Sequence, residues 1–321
     1  MSVYTTIEHD ELVDFLRRFS LGELIDFAGI SAGIENTNYF VTTTAGEYVL
    51  TIFEELTAEE LPFFLDLMAF LAEHGVPSAH PLADREGRYL QAFKGKPAAL
   101  VQRLRGHNIE QPDRTQCAAI GDALGTMHRQ IAGFTGRRPN PRGAAWRRDT
   151  AARVLPRLAE DEAALLRAEL EFESRFRLED LPRGVIHADL FRDNALFEGE
   201  ELTGIIDFYY ACEDALLYDL AVTVNDWCTT DDGGLDDARV MAMVEAYARQ
   251  RPFTALEVGA WAVELRAAAL RFWLSRLQDK LFPRDGAITH IKDPTHFQRI
   301  LAHHVARHDH LDHVARVTPG A

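Results

Sequence analysis

The pattern of apolar residues changes once along the chain, near residue 114. Before that point short β-rich runs alternate with turn residues, and in the run 47–53 the side chains of Tyr48, Leu50 and Ile52 share one face. After it the apolar residues recur with the helical period, except across 184–208, which is again β-rich. Strands followed by helices predict an α+β fold with a small β-rich N-lobe and a larger, mostly helical C-lobe.

The same pattern predicts where these lobes begin and end. We expect the N-lobe, an antiparallel sheet with a helix, to cover 1–101, a hinge to cover 102–106, and the C-lobe to cover 107–321. Within the C-lobe we expect one long charged helix across 150–176. The β-rich segment there predicts a hairpin with strands at 194–197 and 202–208 around the turn 198–200.

Composition and charge exclude several classes of function. The chain has 321 residues, of which 47% are hydrophobic, so it can bury a substantial core. Its net charge of -16 opposes binding to nucleic acid or to an anionic membrane surface. We see neither a signal peptide nor an apolar stretch of the roughly 18 to 20 residues that span a bilayer. We therefore expect a cytoplasmic protein without nucleic-acid or membrane partners, and composition indicates no particular oligomeric state.

The β-rich segment in the helical half carries the most informative polar residues. Asp189 is followed five positions later by Asn194, and Asp207 lies thirteen positions further on. A hairpin between Asn194 and Asp207 returns both ends to the same side of one sheet, so the two side chains should converge. Phosphoryl transfer to an alcohol needs an acceptor for the hydroxyl proton and oxygen ligands for magnesium. We predict Asp189 as the catalytic base and Asn194 and Asp207 as Mg²⁺ ligands.

Other interpretations of these residues stay open at this point. Asp189, Asn194 and Asp207 are each common turn or capping residues, but turn formation does not explain their joint spacing. That spacing matches the kinase order of His-x-Asp, four residues, Asn, and a later Asp-Phe pair. The histidine of this motif, His187, is predicted either to orient the substrate or to buttress the loop.

At these residues the chain resembles the aminoglycoside phosphotransferase and choline kinase superfamily, which has a protein-kinase-like fold. Ala188 occupies the position where this superfamily has a small residue and protein kinases have arginine, and Asp219 resembles the aspartate that braces the catalytic loop. Within the superfamily the chain is similar to bacterial homoserine kinases. This similarity implies ATP- and magnesium-dependent phosphorylation of L-homoserine in threonine biosynthesis. The segments that carry it are 33–39, 48–51, 185–194 and 224–228.

The nucleotide site is predicted in the N-lobe, from position and resemblance. Thr51 stands where protein kinases have a lysine, and no glycine-rich phosphate loop is present, so phosphate charge is expected on magnesium, backbone N–H groups and polar side chains of 31–38. The segment 35–38 is equally typical of an ordinary hairpin turn. The resemblance implies adenine contacts from the hinge backbone. The predicted nucleotide residues are Ser31, Asn36, Thr37, Asn38, Val49, Thr51, Gln102 and Leu104.

The acceptor site follows from the chemistry of homoserine, which carries an ammonium and a carboxylate. Its pocket should offer a carboxylate to the first group and an arginine or amide to the second. Arg271 lies among apolar residues, which is unusual unless it is paired, either with a ligand or with a structural aspartate. Choline, methylthioribose and aminoglycosides remain alternative acceptors, and an inactive nucleotide-binding kinase fold is a further alternative. The predicted substrate residues are His187, Asn225, Asp226, Trp227 and Arg271.

Overall fold

The computed structural model describes residues 5–30, 36–176, 178–283 and 292–318. Within these ranges the chain forms two compact units. The first comprises the described residues up to 106 together with 203–206, and the second comprises 107–202 together with those from 207 onward. Antiparallel strands dominate the first unit and helices dominate the second, which confirms the predicted α+β fold class.

The first unit is an antiparallel sheet flanked by helices. Its elements are α1 (His9–Leu16), β1 (Leu24–Gly29), β2 (Asn36–Thr43), β3 (Gly46–Phe53), α2 (Leu61–Glu73), β4 (Leu90–Phe93) and β5 (Lys96–Gln102). The strands lie in the order β1-β2-β3-β5-β4. In β3, Leu50 and Ile52 are fully buried in a cluster with Leu12 and Phe15 of α1. Burial of each such side chain contributes roughly 1.5–3 kcal/mol, and it commits the opposite face of β3 to Val49 and Thr51.

The second unit is mainly helical, and the predicted hairpin belongs to it except for 203–206, which belong to the first unit. The elements after residue 107 are α3 (Arg114–Gln130), α4 (Ala144–Val154), α5 (Glu160–Glu173), β6 (Arg183–Ile186), β7 (Ala195–Glu198), β8 (Glu201–Ile205), β9 (Cys212–Ala215), α6 (Leu216–Trp227), α7 (Asp237–Gln250), α8 (Ala255–Leu281), α9 (Thr295–Ala306) and α10 (His313–Val317). Strands β7 and β8 form one two-stranded sheet, and β6 pairs antiparallel with β9. Among the described helices, none combines the length and apolar character needed to cross a bilayer.

The predicted single helix across 150–176 is wrong. Helix α4 ends at Val154, a 3-10 turn follows at Leu155–Arg157, and α5 starts only at Glu160. Pro156 lies in that turn, and a proline inside a helix removes one N–H donor and clashes with the carbonyl four residues earlier. The charged pattern therefore belongs to two helices that are separated by this 3-10 turn.

Helices α3 and α7 pack with their backbones close together. A Cβ atom placed on Gly121 of α3 would lie 2.1 Å from the backbone oxygen of Met243 in α7, which is far inside contact distance. On α8, by contrast, a Cβ on Gly259 would meet nothing within 4 Å. The absence of a side chain is therefore required at the first glycine and not at the second.

Buried charges surround the middle of α8. The Arg266 guanidinium donates to Glu169 with an Nε–Oε2 distance of 2.9 Å, and Arg147 is ion-paired with Glu173. Glu264 is 2% exposed. Burial, with a smaller contribution from the Asp214 carboxylate, raises the pKa of Glu264 to about 8. This carboxyl is therefore mostly protonated at neutral pH in the folded protein.

Candidate active site

The loop between β6 and β7 places Asp189 beside Asn194. The Asn194 side-chain amide donates to the backbone oxygen of Asp189 at 2.8 Å and lies 3.3 Å from its Oδ2 atom. The Asp189 side chain remains 19% exposed. Since the amide nitrogen of Asn194 is engaged with Asp189, its Oδ1 atom is the group left to act as a ligand.

Asp207 lies two residues after the end of β8 and has an exposed side chain. Its backbone is left-handed, with φ 62° and ψ 57°, and Ala188 next to Asp189 has φ 64°. Left-handed conformations are uncommon for residues other than glycine, and they concentrate at functional sites. Burial raises the pKa of Asp189 to about 7; the negative charge of Asp207 adds to this increase, while Arg271 opposes it. A carboxylate with such a pKa is well matched to accept a proton near neutral pH.

Asp219 in α6 holds the turn that precedes Asp189. Its side chain is fully buried, and its oxygens accept the backbone N–H groups of His187 at 2.8 Å and Ala188 at 2.7 Å, together with His128 Nε2 at 3.0 Å. Burial alone would raise the pKa of Asp219, but the hydrogen bond from His128 and the other donors outweigh it and lower that pKa. The ionised carboxylate only accepts, so His128 donates through Nε2, and its Nδ1 lies within hydrogen-bonding distance, 2.8 Å, of the Tyr247 hydroxyl.

Two predicted substrate residues brace the catalytic loop instead. His187 is fully buried, and its Nδ1 accepts from the backbone N–H of Asp189 at 3.3 Å. Asp226 is 8% exposed and accepts from the backbone N–H of Arg192 at 2.7 Å and from its guanidinium. Both side chains thus stabilise the loop around Asp189, and the buttressing interpretation of His187 is the one that the geometry favours.

Two further predicted substrate residues lie in the protein interior. Asn225 is fully buried, donating to the backbone oxygen of Leu265 at 2.9 Å and accepting from His304 at 2.7 Å. Trp227 is also fully buried, and its indole N–H donates to the backbone oxygen of Leu190 at 3.1 Å. This placement contradicts the predicted acceptor contacts, because the polar atoms of both side chains are engaged and neither has surface available for a ligand.

Arg271 is the predicted substrate residue that lies beside Asp189, the predicted catalytic base. Its side chain is 4% exposed, and its NH1 atom lies 3.9 Å from Asp189 Oδ1. The sequence did not indicate that Tyr210 and Arg142 lie beside it. The guanidinium carbon of Arg142 lies 4.7 Å from the centre of the Tyr210 ring, and that of Arg271 lies 5.7 Å from the same centre. The position of Tyr210 three residues after Asp207 was the one signal available.

The predicted nucleotide residues of the first unit fall into different environments. Thr51 pairs across the strands with Asn38, to whose Oδ1 atom its hydroxyl donates at 2.8 Å. Thr37 is fully buried on the other face, where it donates to Glu54 at 2.7 Å, so this geometry does not favour its predicted contact with nucleotide. Ser31 lies outside the described residues. Partly buried or exposed positions are occupied by Asn36, Asn38, Val49, Gln102 and Leu104.

The lysine that protein kinases place at the position of Thr51 has no direct replacement on that face of β3. Lys96, at the start of β5, is ion-paired with Glu54 and donates to the Thr5 hydroxyl at 2.8 Å. Thr37, which pairs across the strands with Ile52 on the face that packs against α1, donates to Glu54, so this ion pair lies on that face and not on the face of Thr51. The Lys96 side chain therefore lies on the face of the sheet that packs against α1.

The donor set of the second unit fits a magnesium ion. Mg²⁺ takes oxygen ligands and is usually held by one or two protein groups together with substrate phosphates. The Oδ1 atom of Asn194 and the exposed carboxylate of Asp207 are oxygen donors of this kind. Both residues act on Asp189, the first by hydrogen bonding and the second through its charge.

Comparison with known proteins gives consistent results. A model of the phosphotransferase enzyme family matches residues 26–284. A homoserine kinase of Methylobacillus flagellatus is 53% identical over 311 residues, covering 97% of this chain and 98% of that protein. A homoserine kinase of Neisseria meningitidis serogroup B is 46% identical over 301 residues, covering 94% and 99%.

Solved structures of phosphotransferases share the fold at low sequence identity. A spectinomycin phosphotransferase in complex with ADP and spectinomycin superimposes with a TM-score of 0.69 at 14% identity, covering 95% of this chain and 99% of that one. An amicoumacin kinase in complex with AMP-PNP superimposes with a TM-score of 0.68 at 13% identity, covering 98% and 96%. Identities this low establish the common fold alone.

Proposed function

We infer that this chain, which belongs to the phosphotransferase enzyme family and within it to the homoserine kinases, phosphorylates the side-chain hydroxyl of L-homoserine with ATP. The product is O-phospho-L-homoserine, an intermediate of threonine biosynthesis. The observation that carries this inference is the 53% identity to a homoserine kinase over 97% of the chain. The acceptor is thus a small molecule.

Asp189 is the proposed catalytic base. It accepts the proton of the homoserine hydroxyl at a carboxylate oxygen while the hydroxyl oxygen attacks the γ-phosphorus of ATP, and the bond to the bridging oxygen of the leaving ADP breaks. The amide of Asn194, 3.3 Å from Asp189 Oδ2, keeps this carboxylate in one orientation. Asp219 fixes the preceding turn through the N–H groups of His187 and Ala188. The protein's main contribution is therefore to position a base of suitable pKa.

Asn194 and Asp207 are the proposed ligands of magnesium. A bound Mg²⁺ supplies charge neutralisation at the nucleotide phosphates, which matters here because Thr51 stands in place of the kinase lysine. Thr51, Asn38 and the backbone of 101–104 are the proposed nucleotide contacts of the first unit. Asn38 is partly buried and Gln102 is exposed, which supports this assignment. Thr51 is 4% exposed and is assigned through its hydrogen bond to Asn38, while Thr37, buried on the opposite face, is excluded.

The experiment is an acceptor panel with release of ADP as the readout. We expect turnover with ATP, Mg²⁺ and L-homoserine, and a decrease of at least about 10²-fold in Asp189→Asn while ATP still binds. Asp161→Asn, at an exposed position in α5, removes the same charge and should leave turnover unchanged. Turnover with choline, methylthioribose or an aminoglycoside, but none with homoserine, would refute the assigned acceptor.

A further inference from the structure

Two arginines contact the ring of Tyr210, and one of them lies beside Asp189. Arg271 lies 3.9 Å from Asp189 Oδ1, and the guanidinium groups of Arg271 and Arg142 both lie against the ring of Tyr210, 5.7 and 4.7 Å from its centre. The two cations come from distant parts of the second unit, since Arg142 precedes α4 and Arg271 lies in α8. Like charges brought together in this way repel each other unless an anion lies between them or beside them.

The Arg271 guanidinium is poorly compensated. Within the described ranges it makes no hydrogen bond, and its distance of 3.9 Å to Asp189 exceeds hydrogen-bonding range. A guanidinium has five N–H donors, so Arg271 can donate several hydrogen bonds to an acceptor that comes within reach. Burial lowers the pKa of Arg271, and the charge of Arg142 lowers it further. A buried guanidinium that is only weakly paired within the protein is suited to bind an anion.

Arg142 is held loosely enough to take a ligand. It lies 3.4 Å from the Ser275 hydroxyl and 3.5 Å from the Tyr210 hydroxyl, at the long limit for hydrogen bonds. Its ring contacts with Tyr210 and Trp146 orient the guanidinium plane without using its N–H donors. The donors therefore remain available for a stronger acceptor, such as a carboxylate.

The two oxygens of Asp189 face different groups. Oδ2 lies beside the Asn194 amide at 3.3 Å, on the side of the proposed magnesium ligands, while Oδ1 lies on the side of Arg271. Phosphate and metal are thus expected near Oδ2. The arginine side is left for the part of the acceptor that does not react.

We propose that Arg142 and Arg271 bind the α-carboxylate of the acceptor, and that they make the enzyme select an amino acid over an amino alcohol. The proposal rests on the function inferred above. Three carbon atoms separate the homoserine hydroxyl oxygen from the carboxylate group, so a hydroxyl held at Asp189 leaves the carboxylate within reach of a guanidinium 3.9 Å away. The planar fork of arginine also matches the two oxygens of a carboxylate.

The test compares two acceptors that differ only in the carboxylate. L-homoserine and 3-amino-1-propanol share the hydroxyl, the ammonium and the chain between them. We expect Arg142→Gln to lower kcat/KM for homoserine by about 10- to 100-fold, the value of one or two charge-assisted hydrogen bonds, and to change that for the amino alcohol by less than about threefold. Arg271→Lys should also lower kcat/KM for homoserine more than kcat/KM for the amino alcohol. Arg148→Gln, at an exposed position on α4, is the matched control and should have no effect.

The outcomes separate this proposal from the inferred function. If the wild-type protein does not phosphorylate homoserine, the function itself fails. If it does, and Arg142→Gln weakens both acceptors equally or raises the KM for ATP, the arginines contact phosphate and the proposal is overturned. Should the amino alcohol bind without turnover, its inhibition constant against homoserine replaces kcat/KM in the comparison. An unchanged melting temperature for Arg142→Gln confirms that folding is not the cause.

Discussion

Asp219→Asn tests how the fold holds the catalytic loop, because it changes hydrogen bonding without changing side-chain shape. The Oδ1 atom of Asp219 accepts from Ala188, and Oδ2 accepts from His187 and His128, at distances between 2.7 and 3.0 Å. Asparagine offers one acceptor oxygen and one NH2 group. In either orientation of the amide its NH2 group faces at least one buried N–H donor, so at least one of these bonds is lost.

The expected decrease in unfolding free energy follows from the number of hydrogen bonds that are lost in each orientation of the amide. With NH2 towards Ala188 one bond is lost, and in the other orientation two are lost. A hydrogen bond to a charged group contributes about 1.5–3 kcal/mol, and an unsatisfied buried donor costs about 1–3 kcal/mol more, so we expect a decrease in unfolding free energy of about 3 to 5 kcal/mol. Because Ala188 has a left-handed backbone that Asp219 stabilises, we also expect kcat to fall at least about tenfold.

The pH dependence provides a second check. The pKa of Asp219 is lowered in the folded state, so this carboxylate contributes to the free energy of unfolding above the unfolded pKa of 3.8, and the contribution is lost as the pH falls through the folded pKa. The difference in unfolding free energy between wild type and Asp219→Asn, measured in urea, should therefore be constant between pH 5 and 8. A decrease below about 1 kcal/mol, with wild-type kcat, would refute the bracing role. Asp161→Asn again serves as the control for charge alone.

Two further predictions concern stability. Because folding raises the pKa of Glu264 from 4.5 to about 8, the wild type loses stability as the pH rises through this range; Glu264→Gln should be more stable by about 3 kcal/mol at pH 7, with the difference shrinking towards pH 4.5. A pH-independent difference in urea unfolding would contradict this. Gly121→Ala should lower the free energy of unfolding by about 1–3 kcal/mol, since its methyl group meets the α7 backbone. Gly259→Ala should raise the free energy of unfolding by about 0.5–1 kcal/mol, as measured by thermal or urea unfolding. Equal effects at both glycines would refute the close packing of α3 and α7.

The hairpin that carries the proposed magnesium ligands could be predicted because its geometry is local. A hairpin has a fixed period of two and a tight turn, so the interval between Asn194 and Asp207 largely determines where each residue lies. The structure has β7 and β8 joined across this interval. The change from strands to helices was equally visible, since it depends on periodicity within short windows.

The predicted acceptor contacts in α6 failed because this helix has no exposed face. Every residue from Leu216 to Trp227 is buried, so proximity to the catalytic loop in sequence does not tell whether a side chain meets the ligand or the protein. Asn225 and Trp227 meet the protein. The predicted nucleotide contact of Thr37 has a related difficulty. Successive residues of a strand point to opposite faces of the sheet, and Thr37 points to the buried face.

The arginines of α8 show what tertiary structure adds. In sequence Arg266 and Arg271 are equivalent, because each lies in an apolar stretch of a helix that is buried on nearly all sides. In the structure Arg266 is satisfied by Glu169 at 2.9 Å, while Arg271 makes no hydrogen bond within the described residues and has a second arginine beside it. A buried guanidinium whose N–H donors are hydrogen-bonded within the protein is already compensated, whereas Arg271, whose ion pair with Asp189 Oδ1 spans 3.9 Å, still has donors to offer a ligand. This difference in pairing, which no local pattern encodes, is the reason to assign the substrate carboxylate to Arg271 and not to Arg266.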